Sequence, residues 1–578
     1  MIAERLLHDH ARTPARVDGY APIADYAAIG DGRTLALVAA DGAIDWLALP
    51  NIAAEPLLDA LLDAESGHSF CLAPVGEASV TRRYLPETNV LETTFETPTG
   101  VLRVTDAFTL DDGELLPWIE LVRSAECAAG SVEVEWQFCP APQAEGRFRL
   151  HTWDAGQGTF ELANGDGALF ALVYCVDGPL PTPVRDDVEQ RLHSTVSWWR
   201  RWVERHEYDG PWADEVLRSA FALKLLTHSP TGAMAAAATT SLPEKIGGDR
   251  NWDYRFCWVR DSAFALDALL RIGRLELVHS ALRWLLEAVK RTHPRLNVLY
   301  DLEGRVPTDC VELLLPGYRG SRPVRKGNTA SPQIQLSCYG DLLETVWLYV
   351  QDGHDLGPEV GRRIAEVASF AGRIWRNEDS GIWELDDLQQ YTISKMGCWV
   401  ALDRALKLAE HGAIPGDDSD LWRREREQIR DFVETRCWSD SRNSYTFYAG
   451  TDKLDASVLL AARNGFADPK GERMAGTIAA VQEELAQGPF VYRYSGTQEL
   501  EGAFLACSFW LVQAFARAGR LEDAKALMDD AVALSNDVGL FSEEIDPESG
   551  ELLGNVPQAL THLALIDAAG AIQDLERS

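Results

Sequence analysis

The sequence lacks the signatures of several common kinds of site. None of its ten cysteines lies in a CxxC pair, and its twelve histidines include no HExxH motif, so neither a zinc site nor a thioredoxin motif is predicted. The GxSxG nucleophile elbow, the GxxxxGK[ST] phosphate loop and the GxGxxG dinucleotide fingerprint are also absent. We therefore expect no metal and no cofactor, and we expect the cysteines to be free, buried thiols of a cytoplasmic protein.

Positive charge and long apolar runs are scarce as well. The chain has 54 basic and 89 acidic residues, a net charge of −35, which disfavours nucleic acid and anionic lipid as partners. No apolar run approaches the length of a membrane span. The amino-terminal segment carries charges where a signal peptide would have an apolar core, so no secretion signal is predicted. A small neutral substrate such as a sugar is compatible with this composition. The composition does not distinguish a monomer from a homodimer.

The periodicity of apolar residues divides the chain into two parts. With 578 residues it is too long for a single hydrophobic core. Residues from about 20 to 180 alternate as strands do, for example in SVEVEWQF, which predicts an antiparallel β-sandwich over 1–184. A basic, tryptophan-rich helical linker is expected over 185–210. From 211 to 578 the period is helical.

Twelve candidate helices fill this second part, and they alternate in two respects. Short and long connections alternate along the chain. Two helices joined by a short connection are antiparallel neighbours, so the six long loops must all lie at the same end of the helical domain. Helices that are apolar nearly all round, such as GAFLACSFWLVQAFA, alternate with amphipathic ones, such as LWRREREQIRDFVE. Because a helix that is apolar all round is buried on all sides, we predict two concentric rings, an (α/α)6 barrel with a ligand site in its mouth. A superhelical array of hairpins is the alternative, although no fixed repeat period is present.

Three long loops carry aromatic and basic residues. The first contains Trp258 and the adjacent Arg260 and Asp261, a combination that suits a sugar because ring faces stack on aromatics while hydroxyls need charged partners. The same arginine and aspartate could simply pair at a helix start. The fifth loop places Arg493 between two tyrosines. The second, at 317–325, is basic and could either clamp a substrate or pair with acidic neighbours.

Two other long loops carry candidate catalytic acids. Glu384 follows Trp383 in the third loop, in apolar surroundings that raise a carboxyl pKa, as a general acid requires. Glu543 begins an acidic run in the sixth loop, which taken alone could be a solvated turn. In a ring of six loops the third and sixth are opposite each other. Two carboxylates that face each other about 6.5–9.5 Å apart are what an inverting glycosidase needs.

Longer segments resemble glycoside hydrolase family 15, which includes glucoamylases, glucodextranases and trehalases. The resemblance is carried by NWDYRFCWVRDSAFALDALL, GIWELDD and GLFSEEIDPESGELLGNVPQALTHLALI, while YAPIADYAAIGDGRTLALVAADGAIDWLALP resembles the trehalase-like amino-terminal domain of bacterial and archaeal members. It implies a β-sandwich joined to an (α/α)6 barrel. It assigns the general acid to Glu384 and the general base to Glu543 rather than Glu544, and it assigns binding of the terminal glucose to Arg260 and Asp261. A further arginine of the family corresponds to Arg493.

The resemblance implies an inverting, exo-acting α-glucoside hydrolase that releases β-glucose from the non-reducing end. Since no secretion signal is predicted, small substrates are favoured, and we expect a glucoamylase-like enzyme for isomaltose or malto-oligosaccharides. The alternative is an α,α-trehalase. A transglucosylase, a phosphorylase and a silent sugar-binding protein are further possibilities. The segment NIAAEPLLDALLD at 51–63 departs from the R-F-D-S stretch of relatives, which affects the expected substrate preference more than catalysis.

Overall fold

Twelve strands of the amino-terminal part form one hydrogen-bonded antiparallel sheet. The structure is a computed structural model that describes residues 11–111, 115–142 and 145–578. The strands are β1 (Tyr26–Gly30), β2 (Leu35–Ala39), β3 (Ala43–Ala48), β4 (Pro56–Leu58), β5 (Ser69–Pro74), β6 (Ser79–Tyr84), β7 (Leu91–Glu96), β8 (Gly100–Phe108), β9 (Ile119–Cys139), β10 (Arg147–Trp153), β11 (Thr159–Ala163) and β12 (Gly167–Cys175).

The long strand β9 joins the two halves of this sheet. Its first half pairs with β8 and β12, and its second half pairs with β5 and β11. The main strand order is therefore β1-β2-β3-β5-β9-β8-β7-β6. The predicted strand-rich, antiparallel character is confirmed, but the two layers expected of a sandwich are one continuous curled sheet, because β9 has 21 residues and belongs to both.

The rest of the chain is mainly helical. Each of the twelve predicted helices has a counterpart, and the predicted linker contains one further helix. The helices are α1 (Arg185–Val203), α2 (Ala213–Leu226), α3 (Val259–Arg271), α4 (Leu275–Lys290), α5 (Ser337–Gln351), α6 (Pro358–Ile374), α7 (Thr392–Glu410), α8 (Ser419–Arg436), α9 (Leu460–Arg463), α10 (Glu472–Glu484), α11 (Leu505–Arg517), α12 (Leu521–Val532) and α13 (Ala559–Arg577), with 3₁₀ turns at Ile23–Asp25, Tyr318–Gly320 and Ala456–Leu459.

Alternate helices contact one another in a closed order. The sequence of contacts is α3, α5, α7, the 3₁₀ turn with α9, α11 and α13, and α13 returns to α3. The helices predicted to be buried on all sides, α9, α11 and α13, belong to this order, and α11 is buried from its first residue to its twelfth. The helix α8 packs outside α7 and buries only one side. The alternation of buried and amphipathic helices therefore follows from the apolar pattern.

Short strands lie in the connections between the helices. They are β13 (Thr227–His228), β14 (Ala233–Met234), β15 (Thr240–Pro243), β16 (Asn251–Asp253), β17 (Cys257–Trp258), β18 (Leu299–Tyr300), β19 (Val311–Leu313), β20 (Val324–Lys326), β21 (Trp438–Ser439), β22 (Ser444–Tyr445), β23 (Ala486–Gln487), β24 (Phe490–Val491), β25 (Ala503–Phe504), β26 (Glu544–Ile545) and β27 (Leu552–Leu553). Over the described ranges, no helix is long and apolar enough to cross a membrane.

The amino-terminal sheet contacts these connections directly. Trp46 in β3 donates its indole N–H to the carbonyl of Ala238 at 3.0 Å. The carbonyl of Ala54 accepts a hydrogen bond from Arg255 at 2.9 Å, and Glu55 pairs with Lys326. The segment at 51–63 that departs from the family pattern therefore contacts the first and second long loops, although none of its residues lines the cavity described below.

Candidate active site

One cavity of about 530 Å³ opens among the long loops. All seven residues that the sequence singled out line it, and they come from four different loops. They are Trp258, Arg260, Asp261, Trp383, Glu384, Arg493 and Glu543. The fold thus brings together side chains that lie up to almost three hundred residues apart in the chain.

A tight turn presents Glu384 to the cavity. Both Gly381 and Glu384 have left-handed backbones, with φ of 65° and 62°, and the N–H of Glu384 lies 3.4 Å from the carbonyl oxygen of Gly381. A Cβ at Gly381 would stand 2.8 Å from the ring of Tyr391, so only glycine fits there. A left-handed conformation at a non-glycine residue costs roughly 1–3 kcal/mol and persists where the surroundings impose it. The turn is therefore strained at the residue that projects into the cavity.

The carboxylate of Glu384 is partly enclosed and has two close partners. Its side chain is 19% exposed, and Arg260 Nη1 lies 4.0 Å from Oε1. Trp258 Nε1 donates to the same oxygen at 2.5 Å. Burial raises the pKa of Glu384, while the charge of Arg260 and the hydrogen bond from Trp258 oppose that rise. The direction is the one that the sequence predicted, and it favours a carboxyl group that keeps its proton.

Arg260 and Asp261 form a pair beside this carboxylate. Arg260 Nε donates to Asp261 Oδ1 at 2.8 Å, and Arg260 Nη1 donates to the carbonyl of Ile382 at 3.1 Å. Asp261 also lies in the first turn of α3, so the pair occupies a helix start and lines the cavity at once. The buried Oδ2 of Asp261 accepts no hydrogen bond from the described part of the chain.

Glu543 lies just before β26 and is almost completely buried, with 1% exposure. Its backbone carbonyl accepts a hydrogen bond from Leu505 at 3.1 Å. Behind it lies Gly554, with φ of 72°. A Cβ at this glycine would stand 2.6 Å from Glu543 Cβ and 2.7 Å from Oε2. The close approach of β27 therefore fixes the side chain of Glu543, and it requires glycine.

A group of buried charges surrounds Arg493, next to Glu543. Arg493 Nη2 lies 2.9 Å from Glu244 Oε2 and 3.8 Å from Glu544 Oε1, and it pairs closely with Glu501. One oxygen from each of these three glutamates falls within 4.8 Å of the others, a spacing that could hold a metal ion. Here the guanidinium nitrogen contacts all three, so Arg493 supplies the positive charge. No local sequence pattern pointed to Glu244 or Glu501.

This environment affects the titration of Glu543. Burial raises its pKa well above that of an ordinary glutamate, and the nearby charge of Glu244 adds to the rise, while Arg493 and a hydrogen bond from Tyr254 oppose it. Tyr254 also packs edge-to-face on Trp258 with 5.4 Å between ring centroids. One loop thus supplies contacts to both carboxylates. Tyr254 lies in the aromatic segment noted in the sequence, but it was not selected there.

The structure also distinguishes Glu543 from the acid that follows it. Glu543 lines the cavity, whereas Glu544 does not. Glu544 Oε2 instead accepts a hydrogen bond from the N–H of Gly502 at 2.9 Å, and burial raises its pKa well above the usual value. Of the two neighbouring acids, Glu543 is therefore the one at the cavity wall.

Two arginines of the basic second loop have different surroundings. Arg325 lines the cavity and stacks on Trp252 with its guanidinium carbon 4.4 Å from the ring centroid. Its Nη1 donates to the carbonyls of Asp249 and Asn251 at 3.0 and 2.9 Å, which fixes it at the wall. By contrast, Arg319 pairs with an acidic residue of the sixth loop at 3.2 Å and does not line the cavity.

Family models, sequence relatives and solved structures all relate the chain to the same family of proteins. The sequence model for glycosyl hydrolases family 15 matches residues 210–570, and the model described as "Trehalase-like, N-terminal" matches residues 15–157. A trehalase of Mycobacterium tuberculosis is 34% identical over 95% of this chain and 89% of its own. A trehalase of Thermoplasma acidophilum is 31% identical over 93% of this chain and 98% of its own. Among solved structures, a bacterial glucoamylase complexed with acarbose matches 98% of this chain and 96% of its own with a TM-score of 0.66 at 12% identity, which shows a shared fold.

Proposed function

The chain belongs to glycosyl hydrolase family 15 and is a glycoside hydrolase, and we propose that it is an α,α-trehalase that acts with inversion. The sequence analysis placed a glucoamylase-like enzyme first and a trehalase second. The names of the curated relatives, which match nearly the whole chain at over 30% identity, reverse that order. The structural likeness to a glucoamylase is too distant in sequence to argue for its substrate.

The observation that carries the proposal is the presence of two enclosed carboxylates, Glu384 and Glu543, in the wall of one cavity. We assign Glu384 as the general acid on the family resemblance of its W-E motif, and burial, which favours its protonated form, is compatible with that role. We assign Glu543 as the general base that activates a water molecule on the other side of the sugar. Oε1 of Glu543 is buried and accepts no hydrogen bond from the described residues, and we propose that this oxygen takes the proton of that water.

The remaining predicted residues receive roles in substrate binding. Arg260 and Asp261 provide a paired donor and acceptor beside Glu384, which suits the hydroxyls of the glucose whose bond is cleaved. Trp258 and Trp383 supply ring surface in the cavity wall. Arg493 holds the acidic group next to Glu543, and its charge opposes the rise in the pKa of that carboxylate.

We also propose the architecture that this mechanism requires. The closed order of helix contacts from α3 through α13 supports an (α/α)6 barrel. The family-model matches and the position of α1 support an amino-terminal domain over 1–184, a linker over 185–210 and a catalytic domain over 211–578.

The test is an activity panel on trehalose, isomaltose and maltose, with and without phosphate, read by proton NMR of fresh product. We expect trehalose to have the highest kcat/KM. Inversion at one anomeric centre of trehalose releases one β-glucose, while the other glucose leaves as the α-anomer, so the two should appear in equal amounts before mutarotation. A higher kcat/KM on isomaltose or maltose would show that the enzyme is glucoamylase-like rather than a trehalase. Only α-glucose would exclude inversion, and glucose 1-phosphate would identify a phosphorylase.

A further inference from the structure

The segment that leads into Glu543 is a closed loop held by one asparagine. Asn536 Oδ1 accepts hydrogen bonds from the N–H groups of Val538 and Leu540 at 3.1 and 2.9 Å. The backbone N–H of Asn536 donates to the carbonyl of Leu540 at 3.0 Å. Residues 536–540 therefore form a compact unit that ends three residues before Glu543.

The amino-terminal sheet holds this loop from the other side. Asn536 Nδ2 donates to the carbonyl of Tyr26 in β1 at 2.8 Å. Arg82 in β6 donates through Nε to Asp537 Oδ2 at 3.0 Å and pairs closely with its other oxygen. The side chain of Arg82 is 0% exposed, and its Nη1 also donates to the carbonyl of Val38 in β2 at 3.3 Å. A buried fork of this kind fixes direction as well as distance.

Two more contacts extend the same support. A Cβ at Gly539 would stand 2.8 Å from Arg218 Cγ, and the guanidinium of Arg218 stacks on Tyr84 at the end of β6 with 4.0 Å to the ring centroid. Beyond Glu543, the strand β27 contacts the 3₁₀ turn at Ile23–Asp25. The segments before and after Glu543 therefore both contact the amino-terminal part of the molecule.

We propose that the amino-terminal sheet positions the general base, and that Arg82 is the positioning residue through its pair with Asp537. The proposal rests on the proposed function, in which Glu543 is the base. A base acts only within hydrogen-bond reach of the water from which it takes a proton, and a misplacement of 1 Å can cost about a hundredfold in rate. The acid Glu384 has no such support from the sheet, because its described partners are residues of the helical part.

The test compares two substrates whose leaving groups differ. Hydrolysis of trehalose needs both the acid and the base, whereas α-glucosyl fluoride loses fluoride without a proton from an acid and still needs the base to activate water. We expect Arg82→Met to lower kcat on both substrates by a similar factor of about ten or more. KM should change less, since Arg260 and Asp261 are far along the chain in another loop. Arg82→Lys keeps the charge but not the fork, so it should restore only part of the rate.

The matched control is Arg83→Met, on the same strand. Arg83 is 66% exposed and pairs with Glu92, so this variant should keep kcat within about twofold, as expected of a surface pair. All variants are compared as folded full-length protein, judged by circular dichroism and thermal unfolding. Asp537→Asn is the second variant, which keeps the shape of the loop if Arg82→Met does not fold, and it should show the same loss on both substrates.

Three outcomes would overturn the proposal. They are an unchanged kcat in folded Arg82→Met or Asp537→Asn, a loss on trehalose that spares the fluoride, and an equal loss in Arg83→Met. Failure of the proposed function is distinguishable from these results. If the wild type prefers another glucoside, that sugar replaces trehalose while the fluoride arm is unchanged. If Glu543→Gln retains activity on both substrates, the assignment of the base itself is wrong.

Discussion

The two carboxylates of the cavity are held in different ways. Glu384 is held locally, by a strained turn whose φ of 62° brings its side chain to the indole of Trp258. Glu543 is held from a distance, by Gly554 behind it and by a loop whose charge pairs with Arg82 in the amino-terminal sheet. The acid depends on a few neighbouring residues of the helical part. The base depends on contacts between both parts of the molecule.

The charges around the two carboxyl groups also differ, with a simpler set at Glu384 than at Glu543. Both carboxyl groups have raised pKa values because both are buried. The strongest opposing charge at Glu384 is the single guanidinium of Arg260. At Glu543, the charge of Glu244 adds to the rise, and Arg493 must balance several acids at once. The difference indicates that substitutions far from Glu543 affect catalysis more than substitutions far from Glu384.

The largest effect is expected when either carboxylate is removed. Glu384→Gln and Glu543→Gln should each lower kcat on trehalose by about 10²–10⁴-fold, the usual contribution of an acid or base group. On α-glucosyl fluoride, Glu384→Gln should recover most of the wild-type rate, because fluoride leaves without a proton, while Glu543→Gln should remain slow. Stopped assays of glucose and fluoride release measure both rates.

The control for this pair is Glu548→Gln, an exposed acid in the same loop as Glu543, which should have wild-type rates on both substrates. If Glu384→Gln were as slow on the fluoride as on trehalose, the two carboxylates would not have separate roles, and the comparison between them would lose its chemical basis.

A smaller effect is expected from crowding the base. Gly554→Ala places a methyl group within 2.7 Å of Glu543 Cβ and Oε2, so the carboxylate must shift. We expect kcat to fall by about tenfold to a hundredfold, the cost of a displacement approaching 1 Å. Steady-state kinetics on trehalose and on the fluoride should show the same loss, since the base serves both.

The matched control is Gly412→Ala. Gly412 has the same φ of 72°, but a Cβ there would meet no atom within 4 Å. Both variants carry a left-handed alanine, which costs roughly 1–2 kcal/mol, so both should lower Tm, and Gly554→Ala should lower it further because its methyl group is crowded. Only Gly554→Ala should lower kcat. A normal kcat in a folded Gly554→Ala protein would show that the position of Glu543 tolerates displacement.

Sequence patterns were sufficient to predict which loops carry the residues that line the cavity. The alternation of loop lengths and of buried with amphipathic helices predicts which loops meet, and the structure brings all seven selected residues to one cavity. The curled sheet was missed because the strand β9 spans 21 residues, and only SVEVEWQF, its second half, shows a clear alternation. A period of two identifies a strand, but it does not show that two pairing regions share it.

The supports of Glu543 could not be predicted in this way. Arg493 and Glu244 are 249 positions apart, and Arg82 and Asp537 are 455 positions apart. A buried ion pair between such residues leaves no periodic signal in either segment. The strained turn at Glu384, in contrast, is contained within a few residues. The sequence analysis selected Glu384 from its neighbouring residues but did not predict its left-handed backbone, so both the turn geometry and the supports between distant segments required the fold.

The smallest effect is expected from removing one charge beside the base. Burial is the main cause of the raised pKa of Glu543, and the charge of Glu244 is the next. Glu244→Gln removes that charge, so the pKa of Glu543 should fall. Because the base must be ionised, activity is lost as the pH falls through its pKa. The acid limb of the kcat/KM profile on trehalose should therefore move to lower pH, while kcat at the optimum changes less than in Gly554→Ala.

The basic limb sharpens this test, because it depends on Glu384 keeping its proton. Glu244 is not among the main causes of the shift in the pKa of Glu384, so the basic limb should move less than the acid limb. Glu499→Gln, an exposed acid near the same loops, should leave both limbs unchanged. Glu244 also holds Arg493 at 2.9 Å. If the acid limb moved to higher pH instead, the loss of Arg493 from its position would outweigh the loss of the charge, and Glu244 would act on the base mainly by orienting that arginine.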